Sequence, residues 1–159
     1  EGLSMEEIAE HVNLTRATLY TFFDNKFEII NAIIHPILDN LVERISTVSN
    51  SEPQKALEDV FQLYLDTWKE NAIAMKVLNR MQRTVFNDGP DEKLRKEFIH
   101  RMELIFEAAK NTGILRTNDA ALSAKMLMNV SIPTLEILEY KEDRDTLFKN
   151  TMKAYLLLS

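Results

Sequence analysis

The 159-residue sequence contains no cysteine, only three glycines and only four prolines. The absence of cysteine excludes disulfide bonds, thiolate catalysis and cysteine-based zinc sites, and it fits a cytoplasmic protein. The scarcity of glycine and proline argues against an all-β fold, which needs many tight turns. No apolar run approaches the ~18 residues of a membrane-spanning helix, and the polar, acidic N-terminus is unlike a signal peptide. What remains is a helical protein without a membrane segment.

Positive charge is also scarce. The chain has 19 basic and 25 acidic residues, which gives a formal net charge of −6. Within residues 1–30 the two basic residues are Arg16 and Lys26, and six acidic residues oppose them. Because a DNA-binding protein obtains much of its affinity by neutralising phosphates, this segment alone is poorly suited to strong binding.

Hydrophobic residues make up 45% of the chain, seven of its residues are methionine, and the apolar positions recur at helical spacing. These features predict an all-α protein that buries a substantial core. Caps and breakers divide it into eight expected helices, with 49–53 and 87–90 as loops. Pro36 is expected to kink its helix, and Pro133 to interrupt its own. The expected helices span approximately 4–13, 15–23, 26–48, 54–70, 73–86, 91–111, 118–140 and 144–158.

The first two predicted helices form a helix-turn-helix. Ser4 and Glu7 have the spacing of a capping box, and Asn13 tolerates the left-handed backbone of a tight turn. Thr15 caps the second helix, which directs Leu19 and Phe23 inward. Its outward face carries Arg16, Ala17, Thr18 and Thr21.

The string GLSMEEIAEHVNLTRATLYTFFDNK resembles the DNA-binding signature of the TetR family. The match rests on a leading glycine, a polar cap, an Ile-Ala pair, a Thr-Leu-Tyr triplet, an aromatic pair and a lysine. These elements are Gly2, Ser4, Ile8-Ala9, Thr15, Thr18-Leu19-Tyr20, Phe22-Phe23 and Lys26. Two positions depart from the pattern: Asn13 replaces a common glycine, and Phe22 replaces a Tyr or His that donates a hydrogen bond.

The resemblance implies a TetR-like fold in which 1–48 form a DNA-binding helix-turn-helix plus connecting helix. Residues 49–159 would form an effector-binding and dimerisation domain. Thr15, Tyr20 and Lys26 would contact phosphates, and Arg16, Ala17, Thr18 and Thr21 would meet base edges. The alternatives are a solvated charge for Arg16 and core packing for Tyr20. The implied function is a homodimeric repressor of a palindromic operator that a small apolar or amphipathic effector releases, without a cofactor.

The family's DNA-binding unit has a further helix before this motif. We therefore expect roughly 20 to 40 preceding residues, basic in character, that supply much of the DNA affinity. Without them, Ile8, Leu19 and Phe23 would lack part of their cover.

An effector cavity is the expected feature of the second half. Methionine and aromatic side chains suit an adaptable apolar pocket, although ordinary core packing explains the same residues. The expected lining residues are Phe61, Leu65, Trp68, Met75, Leu78, Met81, Met102 and Phe106. Pro36, in the helix that would connect the cavity to the DNA reader, is the expected hinge.

The last two predicted helices are apolar on two sides. Leu122, Met126 and Val130 lie on one side of residues 118–140, and a second side carries Leu127, Leu135 and Leu138. The final helix ends with the apolar run 154–158. Burial on both sides predicts a two-fold homodimer interface, and the alternative is a thick monomer core.

The sequence leaves two alternatives to a DNA-binding repressor. An enzyme reading would rest on Glu97 and His100, which share a helical face, but a di-iron site needs a second such pair. Glu7 with His11, and His35 alone, are explained by exposed helix positions, so neither catalytic residues nor a metal site are expected. The stronger alternative is a helical interaction protein of TetR fold that no longer binds DNA.

Overall fold

The computed structural model describes residues 4–11, 13–85 and 92–158, excluding the side chains of residues 11, 77, 78 and 80–85. This part of the chain forms seven helices. They are α1 (Met5–His11), α2 (Arg16–Phe22), α3 (Lys26–Ser46), α4 (Pro53–Val85), α5 (Glu92–Asn111), α6 (Ala120–Ile137) and α7 (Arg144–Leu156). The predicted loop at 87–90 lies outside the described residues.

The boundaries of the first helices follow the predicted caps. The Ser4 amide donates to Glu7 Oε2 (2.7 Å), and the Glu7 amide donates to Ser4 Oγ (3.2 Å), which completes the capping box. Asn13 has φ 55°, the left-handed turn conformation. Thr15 Oγ1 accepts from the Thr18 amide (3.1 Å) at the start of α2. The helix-turn-helix is therefore confirmed at the level of its local hydrogen bonds.

Two hydrophobic clusters organise the molecule, and α3 contributes to both. The small cluster belongs to the helix-turn-helix and contains Met5, Ile8, Ala9, Leu19 and Ile29, with Phe23 packed against it. Ile8 and Leu19 are buried and Phe23 is half-buried, so these side chains have more cover than expected. From Ile30 onward the buried residues of α3 join the large cluster. The start of α3 therefore packs against the helix-turn-helix, while the rest of the same helix packs in the helical body.

The spacing of the apolar residues along α3, from Ile30, Ile33 and Ile34 to Ile45, predicts one buried stripe. Ile30, Ile34 and the later apolar positions are buried, but Ile33 is 44% exposed and Ile29 is buried in its place. The prediction for Ile33 was wrong because a run of neighbouring isoleucines does not reveal which one faces the partner helix. The helix also continues through Pro36 to Ser46.

Helix α4 supplies the central layer of the large core. Leu57, Val60, Phe61 and Leu65 are each fully buried, and Trp68 is nearly so. The helical dihedral angles are interrupted at Asn71 (φ −137°, ψ 30°), which is where the sequence predicted one helix to end before the next began. A single bent element therefore replaces the two predicted helices.

Helices α5 to α7 close the body. Gly113 (φ 73°) ends α5, where its amide donates to the Lys110 carbonyl, and Asp119 caps α6 through the Leu122 amide (2.9 Å). A short antiparallel pairing joins Leu115 to Leu157 after α7. Helix α6 continues through Pro133, which was predicted to interrupt it. Within the described residues, no helix combines the length and apolarity that crossing a membrane requires.

Candidate DNA-binding surface and cavity

The outward face of α2 presents the side chains predicted to meet DNA. Arg16, Ala17 and Thr21 are exposed, Thr18 is half-buried, and Leu19 anchors the helix from below at 3% exposure. Thr21 Oγ1 donates to the Thr18 carbonyl (2.6 Å), so its hydroxyl proton is engaged while its oxygen can still accept. The face is short, polar and anchored to the small cluster.

Arg16 is held in place by two neighbours. Its Nη1 lies 2.5 Å from Glu6 Oε1 of α1, and its guanidinium lies 5.4 Å from the centre of the Tyr20 ring. A hydrogen bond with Tyr20, followed by the charge of Glu6, raises the pKa of Arg16. Because both charged side chains are more than half exposed, solvent screens the pair and it adds little to stability. A bidentate contact with guanine provides ~1–3 kcal/mol of discrimination, so this arrangement orients Arg16 without preventing such a contact.

The three residues expected at phosphates lie around the same helix. Thr15 caps α2 and shares a 2.8 Å hydroxyl contact with Thr18. Tyr20 is 39% exposed and so lies at the surface rather than in the core. Lys26 begins α3, and its Nζ lies 5.6 Å above the Phe27 ring. Phe22, which departs from the family pattern, is 69% exposed and has no hydrogen-bonding group.

A cavity of about 630 Å³ lies between α3, α4, α5 and α6, and it is open to solvent on one side, where exposed residues such as Leu122 and Lys125 border it. Its volume is within the ~300–1,000 Å³ typical of small-molecule sites. The lining residues that are buried are Leu38, Leu41, Tyr64, Met75, Phe98 and Ile132. Two cations and two anions also line it, namely Arg95, Lys125, Glu103 and Asp119. The buried part of the wall is apolar apart from the Tyr64 hydroxyl, and the less buried part carries equal numbers of positive and negative side chains.

Most residues predicted to line a cavity pack elsewhere. Of the eight, Met75 lines it, and the side chains of Leu78 and Met81 lie outside the described set. The other five, which are at most 1% exposed, form the interhelical core and are absent from the cavity wall: Phe61, Leu65, Trp68, Met102 and Phe106. Their alternative interpretation as ordinary core therefore describes where they lie. A cavity at the α5–α6 junction had no separate signal in the sequence.

Tyr64 is the buried cavity residue with a polar group. It is 4% exposed, and burial raises the pKa of its phenol well above the usual range, so the hydroxyl stays protonated at neutral pH. Among the residues whose side chains the structure describes, none forms a hydrogen bond with this hydroxyl. Leaving a buried hydroxyl unpaired costs about 1–3 kcal/mol.

Several large apolar side chains of the C-terminal part are exposed, alongside polar ones such as Lys125 and Asn150. On α6, Leu127 and Leu135 are fully buried, whereas Leu122 is 46% exposed and Ile137 79% exposed. Met126 and Val130 lie between these two and are half-buried. Tyr155 and Leu158 at the end of α7 are also exposed. The two-sided pattern predicted for α6 therefore corresponds to one side inside the core and one side at the surface.

Glu97 and His100, the pair that could contribute to a metal site, lie on α5. Glu97 accepts from Arg101 Nε (2.8 Å), and His100 beside it is exposed. In the part of the chain that the structure describes, no group of three or more His, Asp or Glu side chains comes together in a way that would hold a metal ion.

A helix-turn-helix with an exposed second helix, joined to a helical body that contains a cavity, is an architecture suited to a DNA-binding regulator. Residues 1–33 match the family model for bacterial regulatory proteins of the tetR family. Residues 1–33 are therefore similar to the DNA-binding segment of the tetR family, and the fold of the described residues is TetR-like.

A curated protein is similar to part of the chain. The nucleoid occlusion factor SlmA of Haemophilus influenzae is 26% identical over 108 residues, which are 67% of this chain and 49% of SlmA. The chain thus spans about half the length of the curated relatives it matches.

Two solved structures have a similar fold. The probable transcriptional regulatory protein RHA5900 superimposes with a TM-score of 0.75 at 19% identity, covering 97% of this chain and 86% of its own. The ketosteroid transcriptional regulator KstR2 of Mycobacterium tuberculosis gives 0.69 at 14% identity, covering 99% and 86%.

Proposed function

We propose that this protein is a ligand-responsive repressor that binds a palindromic operator as a homodimer. The observation that carries the proposal is the combination of an exposed, anchored α2 with a cavity whose wall includes α3. Residues 1–48 act as DNA reader and connecting helix, and residues 49–159 as effector and dimerisation domain.

In the DNA complex, α2 enters the major groove. Arg16, Ala17, Thr18 and Thr21 meet base edges, while Thr15, Tyr20 and Lys26 fix the docking through phosphates. The support is exposure, because Arg16, Ala17 and Thr21 are accessible together on one face. Glu6 holds the Arg16 guanidinium next to Tyr20 before DNA arrives.

The dimer forms through the outer faces of α6 and α7. Leu122, Ile137, Tyr155 and Leu158 are large apolar side chains of this C-terminal part that are exposed in the single chain, and Leu122 also borders the cavity. Pairing two such faces by a two-fold axis removes them from water and sets two copies of α2 about 34–36 Å apart, as a palindrome requires.

An effector in the cavity acts through α3. Leu38 and Leu41 line the cavity, and Ile29 of the same helix packs in the small cluster beneath α2. A ligand that displaces Leu38 or Leu41 therefore moves the base of the reader. Pro36 lies between the two ends and removes one backbone hydrogen bond from the helix, which makes it the hinge.

An electrophoretic mobility-shift assay of the protein with DNA that flanks its own gene tests the proposal. We expect a retained complex at ~50–100 mM salt, where phosphate contacts are strong, and weaker retention as salt rises. A DNA fragment of equal length and unrelated sequence is the control. Equal retention of both fragments, or of neither, would favour the alternative of a TetR-fold interaction protein that no longer reads DNA.

A further inference from the structure

We propose that the cavity selects uncharged apolar molecules that carry a carbonyl or hydroxyl oxygen, and that Tyr64 binds this oxygen. The inference rests on the proposed effector function and names the chemical class of the effector. It is carried by one anomaly, a buried hydroxyl that lacks a hydrogen-bond partner among the described residues and belongs to a residue of the cavity wall.

The anomaly is clear when Tyr64 is compared with the other buried hydroxyls. Thr67 Oγ1 donates to the Leu63 carbonyl (2.8 Å), Ser123 Oγ to the Asp119 carbonyl (2.9 Å), and Ser131 Oγ to the Leu127 carbonyl (2.7 Å). Each bonds to the preceding turn of its own helix. A tyrosine cannot do this, because its ring carries the hydroxyl away from the backbone, so it needs a partner from outside α4.

The surroundings of Tyr64 define what that partner is. The other buried wall residues, which include Leu38, Leu41, Met75 and Phe98, offer no polar side-chain group. An apolar molecule therefore fills the interior, and an oxygen placed at Tyr64 accepts the hydroxyl proton. The hydrogen bond is made in a region of low polarity, where an unpaired group is costly and pairing it is favourable.

The same surroundings disfavour a charged group at this depth. An ionised carboxylate next to Tyr64 would lose its hydration and gain a single hydrogen bond, which does not offset the loss. The charged residues of the wall, Arg95 and Lys125 against Glu103 and Asp119, balance each other and favour neither sign. Neutral ligands are therefore preferred over anionic ones in the interior.

Three probes with the same phenyl group and six-carbon chain test the inference: hexanophenone, hexylbenzene and phenylhexanoate. Their dissociation constants are measured by calorimetry for the wild type, for Tyr64→Phe, and for Tyr140→Phe. The last variant is a matched control because Tyr140 is 90% exposed. We expect Tyr64→Phe to weaken hexanophenone roughly three- to tenfold, the size of one net hydrogen bond, and to leave hexylbenzene unchanged.

Thermal unfolding supplies an independent readout. If the Tyr64 hydroxyl has no protein partner, Tyr64→Phe should unfold at the wild-type temperature or above it, because the change removes an unpaired buried group. A clear drop in Tm relative to Tyr140→Phe would show that the hydroxyl bonds within the protein and would overturn the inference.

The binding outcomes separate this inference from the proposed function. If both neutral probes bind and Tyr64→Phe affects neither or both equally, the cavity stands and the role of Tyr64 is wrong. Tighter binding of phenylhexanoate, insensitive to Tyr64→Phe, would overturn the neutral class in favour of an anionic ligand held at the mouth. If none of the three binds, the effector cavity fails together with the inference.

Discussion

At the scale of single residues, the proposed DNA-reading face depends on how Arg16 is held. The Glu6 carboxylate and the Tyr20 ring confine a side chain that would otherwise sample many rotamers. Confinement lowers the entropy lost when the guanidinium meets a base, while the exposed ion pair costs little to break. Arg16 is therefore oriented before binding rather than trapped.

The change Arg16→Ala tests the role of this residue. We expect the variant to lose ~1–3 kcal/mol of preference for the operator over unrelated DNA, because a base contact is removed. Lys26→Ala, which removes an expected phosphate contact, should weaken both DNAs alike and reduce the salt dependence by about one counterion. Titrations of both fragments at several salt concentrations measure these effects, and equal losses on both DNAs for Arg16→Ala would contradict base reading.

At the scale of helices, caps and ion pairs determine how elements begin and how they stay together. Lys69 of α4 lies 2.5 Å from Asp145 of α7, and Lys153 of α7 lies 2.7 Å from Glu58 of α4. A third pair, Lys76 to Glu139, joins the part of α4 beyond Asn71 to the turn after α6. These ion pairs join α4 to α7 and to the turn after α6.

The Lys69–Asp145 pair makes stability depend on pH. The hydrogen bond from Lys69, with help from Arg144, lowers the pKa of Asp145 below its usual value. A lowered native pKa means that the unfolded chain takes up a proton first as the solution is acidified. The contribution is therefore present above the unfolded pKa of about 3.9 and is lost as pH falls towards the native value.

Urea unfolding of the wild type and Asp145→Asn at pH 7 and at pH 3 measures this contribution. Because both side chains are about 40% exposed, we expect Asp145→Asn to destabilise by no more than about 1 kcal/mol at pH 7. The difference should shrink at pH 3. A difference that grows on acidification would refute the assignment. Asp59→Asn, on the exposed face of α4, is the control.

At the scale of the whole molecule, the outer face of α6 and α7 is the feature that a single chain leaves uncovered. Ile137→Glu places a charge on this face, where Ile137 is 79% exposed, so folding should be unaffected while pairing is opposed. We expect sedimentation equilibrium to show a dimer for the wild type and a shift to monomer for the variant. Ile73→Glu, at an equally exposed position on α4, should remain dimeric. A wild type that is monomeric at micromolar concentration would contradict the proposed dimer.

Local sequence determined much of this protein. The Ser4–Glu7 box, the turn at Asn13, and the caps at Thr15 and Asp119 depend on neighbours within a few residues, so they were predictable from the chain alone. The family resemblance likewise rested on a contiguous string.

Tertiary packing decided the rest. An apolar helical stripe looks the same whether it meets another helix or an empty space, so the sequence predicted Phe61, Leu65 and Trp68 as cavity wall when they are core. The position of the cavity depends on how four helices separated in sequence are spaced. The same spacing decides that the hydroxyl of Tyr64, a residue of the cavity wall, has no hydrogen-bond partner among the described residues. That spacing follows from side-chain volumes across all four interfaces together, which no local pattern records.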